Sequence, residues 1–181
     1  MQIRPSTPSD LQTISRLHKL AFGSAEGPEI AKLVNDLFED QTAFPLFSFV
    51  ATRNGEIAGH ILFTSACLEG TDSHLTVQIL APLAVLPGHQ SSGVGCNLID
   101  HGLRELKRAN IDLVFVLGHP EYYPRFGFSP ALPLGLAAPY PIPEKNADAW
   151  MVQDLRGGLA GNVSGCVQCS DVLSEPRHWR E

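Results

Sequence analysis

"PLAVLPGHQSSGVGCNLIDHGLREL", residues 82–106, joins an apolar run to an amphipathic helix through a proline turn, two serines and two glycines. The start of a helix leaves several backbone N–H groups without partners, and the helix dipole adds partial positive charge there. Gly93 and Gly95 remove side chains from that end, so a phosphate can approach the amides closely. Ser91 and Ser92 can cap the helix or add hydroxyl donors. An ordinary capped helix would use the same residue types, so the spacing has to decide.

Three phosphate-binding spacings compete. Gly88 and Gly93 have the separation of a P-loop, but Val94 stands where that loop needs lysine. A dinucleotide fingerprint needs a third glycine three residues after Gly95, and that residue is Leu98. Gln-x-x-Gly-x-Gly, following an apolar strand and a proline turn, is matched at every fixed position by Gln90 to Gly95.

Outward from this junction the pattern is mixed α/β. Residues 93–109 place Val94, Leu98, Ile99, Leu103 and Leu106 on one helical face. "IDLVFVLG" follows as a buried β-branched strand, which makes a βαβ-type unit with "SHLTVQILAPLAVLP". That earlier strand is nearly all apolar at its end, which predicts burial on both faces there. Before it, "PLFSFVATRNGEIAGHILFTSACLEG" predicts two strands joined at Asn54-Gly55, the dipeptide of tight hairpins. Ile3 and Arg4 predict a short first strand. "SDLQTISRLHKLAF", capped by Ser9 or Asp10, and "GPEIAKLVNDLFED" predict two helices. "PEYYPRFGF" reads as a short helix ended by Gly127. The Pro-, Gly- and Ala-rich tail predicts further strands at "AWMVQDL" and "GCVQC".

The chain has 181 residues, enough for one domain with a sizeable core. Apolar residues make up 44% and charged residues 18%, an ordinary globular composition. A net charge of −6 argues against non-specific nucleic-acid binding, which needs surplus cations. No apolar stretch approaches the roughly 20 residues of a membrane span, and "MQIRPSTPSD" has no apolar core for a signal peptide. The expected location is the cytoplasm, with Cys67, Cys96, Cys166 and Cys169 reduced. Cys166 and Cys169 form a CxxC, but no second pair lies at zinc-site spacing, so no metal is expected.

On "LAVLPGHQSSGVGCNLI" and "EYYPRFGF" the chain resembles the GNAT superfamily of acyl-CoA-dependent N-acetyltransferases. The resemblance covers residue 3 to at least residue 128. Gln-x-x-Gly-x-Gly alone is moderately specific. Paired with Tyr-x-x-x-Gly-Phe about thirty residues later, across a strand, it is strong. The wording "LGHPEYYPRFGF" is nearest to the branch of predicted bacterial N-acetyltransferases related to the YhbS group. The resemblance implies one GNAT-like domain over residues 1–181, with a core of about 1–130 and a C-terminal extension of about 131–181. It implies a mostly antiparallel mixed sheet with a β-strand/helix/β-strand acetyl-CoA-binding core and helices on both faces.

It also implies roles. The diphosphate of coenzyme A would lie on Gln90, Ser91, Ser92, Gly93, Val94, Gly95 and Cys96. Leu83, Ala84 and Val85 would bond the pantetheine arm through backbone groups, as an added strand does. This needs a splay between the strand ending at Val85 and the one starting near Ile111, and Pro82, which donates no ladder hydrogen bond, helps to open it. Tyr123, four residues before Gly127, would be the general acid toward the leaving thiolate, with Tyr122 a packing residue. Glu29 is the candidate base, beside Glu26 at the start of the second helix; the helix dipole explains a carboxylate there equally well. His60 and His119 could reach the cleft or be ordinary structural histidines. Cys96 is read as a small packing residue. The implied reaction moves acetyl from acetyl-CoA to a primary amine of a small molecule or peptide. A non-catalytic acyl-CoA-binding or sensing module and a domain with no CoA site stay open, as does a homodimer packed across the tail.

Overall fold

Nine strands form one mixed sheet in a computed structural model that describes residues 1–71 and 74–180. The strands are β1 (Gln2–Pro5), β2 (Phe47–Arg53), β3 (Glu56–Glu69), β4 (Val77–Val85), β5 (Leu113–Leu117), β6 (Ser129–Pro130), β7 (Leu136–Ala137), β8 (Trp150–Asp154) and β9 (Gly165–Gln168). Their order is β1-β2-β3-β4-β5-β8-β6, with β9 on the end of β3 and β7 beside β9. Only β4–β5 and β7–β9 are parallel. The expected α+β architecture is the observed one. Ser73, at the start of the stretch predicted as the third strand of the meander, lies outside the described residues.

Three α-helices cover the sheet: α1 (Leu11–Ala21), α2 (Gly23–Glu39) and α3 (Val94–Arg108). Strand alternation sorts the core onto two faces. Leu62, Ile79, Leu113 and Phe115 pack with Leu33 and Leu37 of α2. Ile61, Phe63, Val114 and Val116 pack with Leu98, Ile99, Leu103 and Leu106 of α3. Helices therefore lie on both faces, as expected.

Some local expectations change. Asp10 stands at the N-cap of the first helix but makes no side-chain cap hydrogen bond there. Thr7 caps a 3₁₀ turn, Pro8–Asp10, in a reciprocal box with Asp10, and α1 follows without a break. The Asp10 carboxylate is gripped by Arg4 at 2.7 and 3.0 Å, which holds its carboxyl well below the usual carboxylate range. Helix α2 begins at Gly23, four residues before the predicted Gly27, and Pro28 lies inside it. Gly27 is needed there for a different reason: a Cβ would lie 2.2 Å from the Lys19 carbonyl oxygen of α1. "PEYYPRFGF" forms a 3₁₀ helix, Tyr123–Phe126, ended by Gly127 with φ of 93°. The tail is integral to the sheet, since β8 pairs along all of β5 and β9 pairs with Cys67, Leu68 and Glu69 of β3.

The strand quoted first departs most from expectation. Residues Val77, Gln78, Ile79 and Leu80 are buried, whereas Ala81, Pro82, Leu83 and Val85 are only partly so. The apolar end of β4 is not sealed between two layers; it lines an opening.

Candidate active site

The opening arises from register. β4 pairs with β5 only at Val77, Gln78 and Ile79. On its other edge, Leu80 faces Phe63 and Leu83 faces Ile61, so Ala81 and Pro82 together oppose the single residue Leu62. That is a β-bulge, which bends the strand locally. From Leu80 onward β4 leaves β5, and its free edge points into a cavity of about 740 Å³. The splay required of the strand near Val85 is therefore present, and Pro82 lies at the bulge.

The cavity passes through the sheet. One wall carries Leu80, Ala81, Pro82 and Leu83, and the facing wall carries Val116, Leu117, Gly118 and His119. Toward α3 it reaches Tyr122 and Tyr123. Toward α2 it reaches Phe22, Glu26 and Glu29, and the C-terminal residues Arg177, His178 and Arg180.

At the α3 end the main chain is shaped for an anion. Gly93 is the N-cap of α3 with φ of 83°, a left-handed conformation that suits glycine. Ser91 also has positive φ, 57°. Among the described residues, the amides of residues 91–96 donate to no backbone carbonyl. The serines do not cap: Ser92 Oγ donates to the His89 carbonyl at 2.6 Å and accepts from Arg53 Nη1 at 3.1 Å. Arg53, at the end of β2, thus brings a guanidinium to the cradle. The sequence reading missed it because it precedes the motif by forty residues. Gln90 Nε2 donates to the Val85 carbonyl at 3.2 Å and ties the loop to the end of β4. A Cβ on Gly95 would lie 3.0 Å from Tyr122 Oη and 3.6 Å from Val85 Cγ2, so only hydrogen fits easily between cradle and tyrosine.

The two tyrosines divide. Tyr123 is 9% exposed, and its ring stands edge-on to Phe128 and Tyr122. Gly118 makes room for it, since a Cβ there would lie 2.4 Å from Tyr123 Cε2. Tyr122 is not simple packing. Its hydroxyl lies 3.7 Å from Cys96 Sγ, and Arg125 stacks over its ring at 4.8 Å. Burial, then the Cys96 thiol, push its phenol up to about 12, so it is a protonated donor at neutral pH.

At the α2 end, Glu29 Oε1 meets Arg177 Nη1 at 3.0 Å, and Arg177 Nε meets Glu175 Oε2 at 2.6 Å. Glu29 and Glu26 thus line the cavity, and one oxygen of Glu29 already has a partner. The tail residues were missed in the sequence, where "EPRHWR" offers only a cationic, aromatic cluster after a proline. His178 is half-buried; burial and Arg177 push it below the ordinary histidine value, against Glu175 and Glu29, which leaves it neutral at pH 7. His119 lines the cavity, and its carbonyl accepts from the amides of Tyr122 and Tyr123, so it both faces the site and caps the turn.

His60 is buried outside the cavity lining. Its Nδ1 lies 2.8 Å from His18 Nε2, and its Nε2 lies 2.9 Å from Ser48 Oγ. The structural reading of this histidine is the observed one.

A family model for the acetyltransferase (GNAT) domain matches residues 2–131. The chain belongs to the GNAT acetyltransferases. It is 43% identical over 164 residues to the uncharacterized N-acetyltransferase YjhQ of Escherichia coli strain K12, covering 90% of this chain and 88% of that one. It is 33% identical over 169 residues to the uncharacterized N-acetyltransferase YhbS of the same strain, covering 93% and 95%. The crystal structure of Escherichia coli YhbS in complex with CoA superposes with a TM-score of 0.85 at 30% identity, covering 96% of this chain and 92% of that one. A GNAT acetyltransferase from Brucella melitensis in complex with acetyl-CoA superposes with a TM-score of 0.74 at 25% identity, covering 95% and 97%. Among the described residues no helix is long and apolar enough to cross a membrane.

Proposed function

We propose that this GNAT acetyltransferase moves the acetyl group of acetyl-CoA directly to a primary amine inside the cavity between β4 and β5. The observation that carries the reading is the cavity itself: Tyr122, on its α3 side, abuts Gly95 at the start of α3, and Glu26 and Glu29 line its mouth on the α2 side. The crystallised relatives from Escherichia coli and Brucella melitensis hold CoA and acetyl-CoA, and both share this fold.

In this reading the amides of Ser91, Ser92, Gly93, Val94, Gly95 and Cys96 receive the diphosphate, assisted by the helix dipole, while the Gln90 amide is held by the Pro87 carbonyl. The pantetheine arm runs along the free edge of Leu83, Ala84 and Val85. The Val85 carbonyl is engaged by Gln90, so Leu83 and Ala84 carry more of that contact. The acceptor enters from the α2 side as an ammonium drawn to Glu29 and Glu26. Glu29 takes its proton, and the amine nitrogen attacks the thioester carbonyl. A C–N bond forms, the C–S bond breaks, and Tyr123 gives a proton to the departing thiolate; the second proton lost by the nitrogen restores the phenol. Tyr122, protonated and held over Gly95, fixes the cradle side of the aromatic pair. The acidic net charge of −6 agrees with an acceptor that arrives as a cation and not with nucleic acid. The expected location is the cytoplasm, where acetyl-CoA is available.

The test is to mix the protein with acetyl-CoA and a broad amine panel, reading released thiol and acetylated product by mass. Thiol release that requires an amine supports transfer. Tight acetyl-CoA binding with no product from any amine would make the protein a binding module instead.

A further inference from the structure

The acceptor mouth carries matched charges of both signs, which restricts what can be acetylated there. Glu26 and Glu29 of α2 face Arg177 and Arg180 of the C-terminal turn, with His178 neutral between the cations. The turn, Pro176–Trp179, is fixed in place. Trp179 is 3% exposed, stands edge-on to Trp150 at 5.5 Å, and donates from Nε1 to the Leu173 carbonyl at 2.9 Å. Tyr140 Oη holds the approach to the turn, donating to the Ser174 carbonyl at 3.0 Å. The residues flanking Trp179 are therefore wall, not loose tail.

Arg177 is the organising group. Glu175 occupies its Nε edge at 2.6 Å, and Glu29 meets Nη1 at 3.0 Å. The Glu29–Arg177 pair bridges α2 and the tail across the mouth. Its two side chains are 54% and 53% exposed, so it contributes little stability and opens readily. A guanidinium held along one edge keeps its Nη1/Nη2 face for a carboxylate, which it can bind with two parallel hydrogen bonds.

From this geometry we infer that the acceptor is a small zwitterion, an amino-acid-like molecule whose ammonium takes Glu29 and whose carboxylate takes Arg177, exchanging the resident ion pair for two new ones. The inference rests on the transferase reading above. A polycationic acceptor would meet two guanidiniums at the entrance, and a peptide N-terminus would bring no carboxylate close to its amine. The bound ammonium then sits against the group that removes its proton, at the end of the cavity facing the thioester.

The experiment compares free L-amino acids with their amides and with the decarboxylated amines, using acetyl-CoA and detection of the N-acetyl product by mass. The free amino acids should be acetylated with kcat/KM about tenfold or more above their amides, the worth of one charge-assisted pair. Arg177→Gln should remove that preference: the ratio of kcat/KM for the amino acid to that for its amide falls about tenfold, with the CoA Kd unaltered. Arg177→Lys should restore part of it. Because Arg177 is half-exposed, a matching melting temperature for each variant confirms an intact fold. Amides or decarboxylated amines acetylated as fast as the amino acids, or Arg177→Gln slowing both kinds alike, would overturn the inference while leaving the transferase reading in place. No product from any amine, with acetyl-CoA bound, would remove both.

Discussion

Beyond Tyr122, on the α3 side of the cavity, lies bare main chain at the helix start, and on the α2 side the cavity ends on side chains. The first end is built by seven consecutive residues, 90–96, whose glycines keep atoms away from the amides. The second is assembled from α2 and a turn about 150 residues later, joined by the Glu29–Arg177 pair. Backbone recognition suits a diphosphate that never changes between substrates. Side-chain recognition suits an acceptor that differs from one family member to the next. The proposed reading therefore puts the co-substrate on a short motif and the acceptor on scattered charges.

The comparison breaks most severely at Gly93. Gly93→Val forces a branched side chain into a left-handed conformation at the centre of the cradle. Acetyl-CoA binding should vanish in calorimetry, and the roughly 2.7 kcal/mol that a ligand at 100 times its Kd adds to stability should be absent. The protein itself should lose only about 1–2 kcal/mol. Binding that survives unchanged would move the diphosphate elsewhere.

Acid should separate the two faces next. His18 and His60 are both fully buried, and burial pushes His18 down to about 4 and His60 well below the ordinary value. In the unfolded chain both bind protons near pH 6.5. Stability is therefore unaffected above about pH 6.5 and falls as pH drops from there toward 4, by about 3 kcal/mol for His18 alone. Hydrogen exchange at pH 5 should expose amides of α1, which carries His18, before those of α3. Equal loss across both helices would contradict this.

Within the cavity, Tyr123→Phe should lower kcat about 100-fold, the scale of one general acid, with the CoA Kd unchanged. Tyr122→Phe, in parallel, should act on CoA affinity more than on kcat, because its hydroxyl sits over Gly95. An unaltered kcat in Tyr123→Phe would remove it as the acid. On the acceptor side, Glu29→Gln should lower kcat by a similar factor, about 100-fold, because it removes the proton acceptor, again leaving CoA binding intact.

The sequence made the α3 end legible because helix start, glycine spacing and strand are contiguous. Val94, Leu98, Ile99, Leu103 and Leu106 all proved buried on one face, and both tail strands formed. What misled was the apolar end of β4. Hydrophobicity marks removal from water, and cavity lining satisfies it as well as a packed core does. Pro82 carried the opposing signal, and the splay read from it is present, since a residue without an amide proton suits a bulge better than a central ladder. The start of α2 was misplaced because Pro28 looks like a beginning, although Gly23 begins the helix. Arg53, Arg177 and His178 were invisible as site residues, because only the folded chain brings the end of β2 to Ser92 and the turn at residues 176–179 to the cavity.

The most direct measurement follows backbone amide resonances as coenzyme A, and separately pantetheine, is added to the uniformly labelled protein. The account predicts that the amides of Ser91, Ser92, Gly93, Val94, Gly95 and Cys96 shift strongly with coenzyme A and scarcely with pantetheine, which lacks the diphosphate, while those of Leu83 and Ala84 respond to both. Coenzyme A leaving the resonances of residues 91–96 in place while perturbing another region would contradict it.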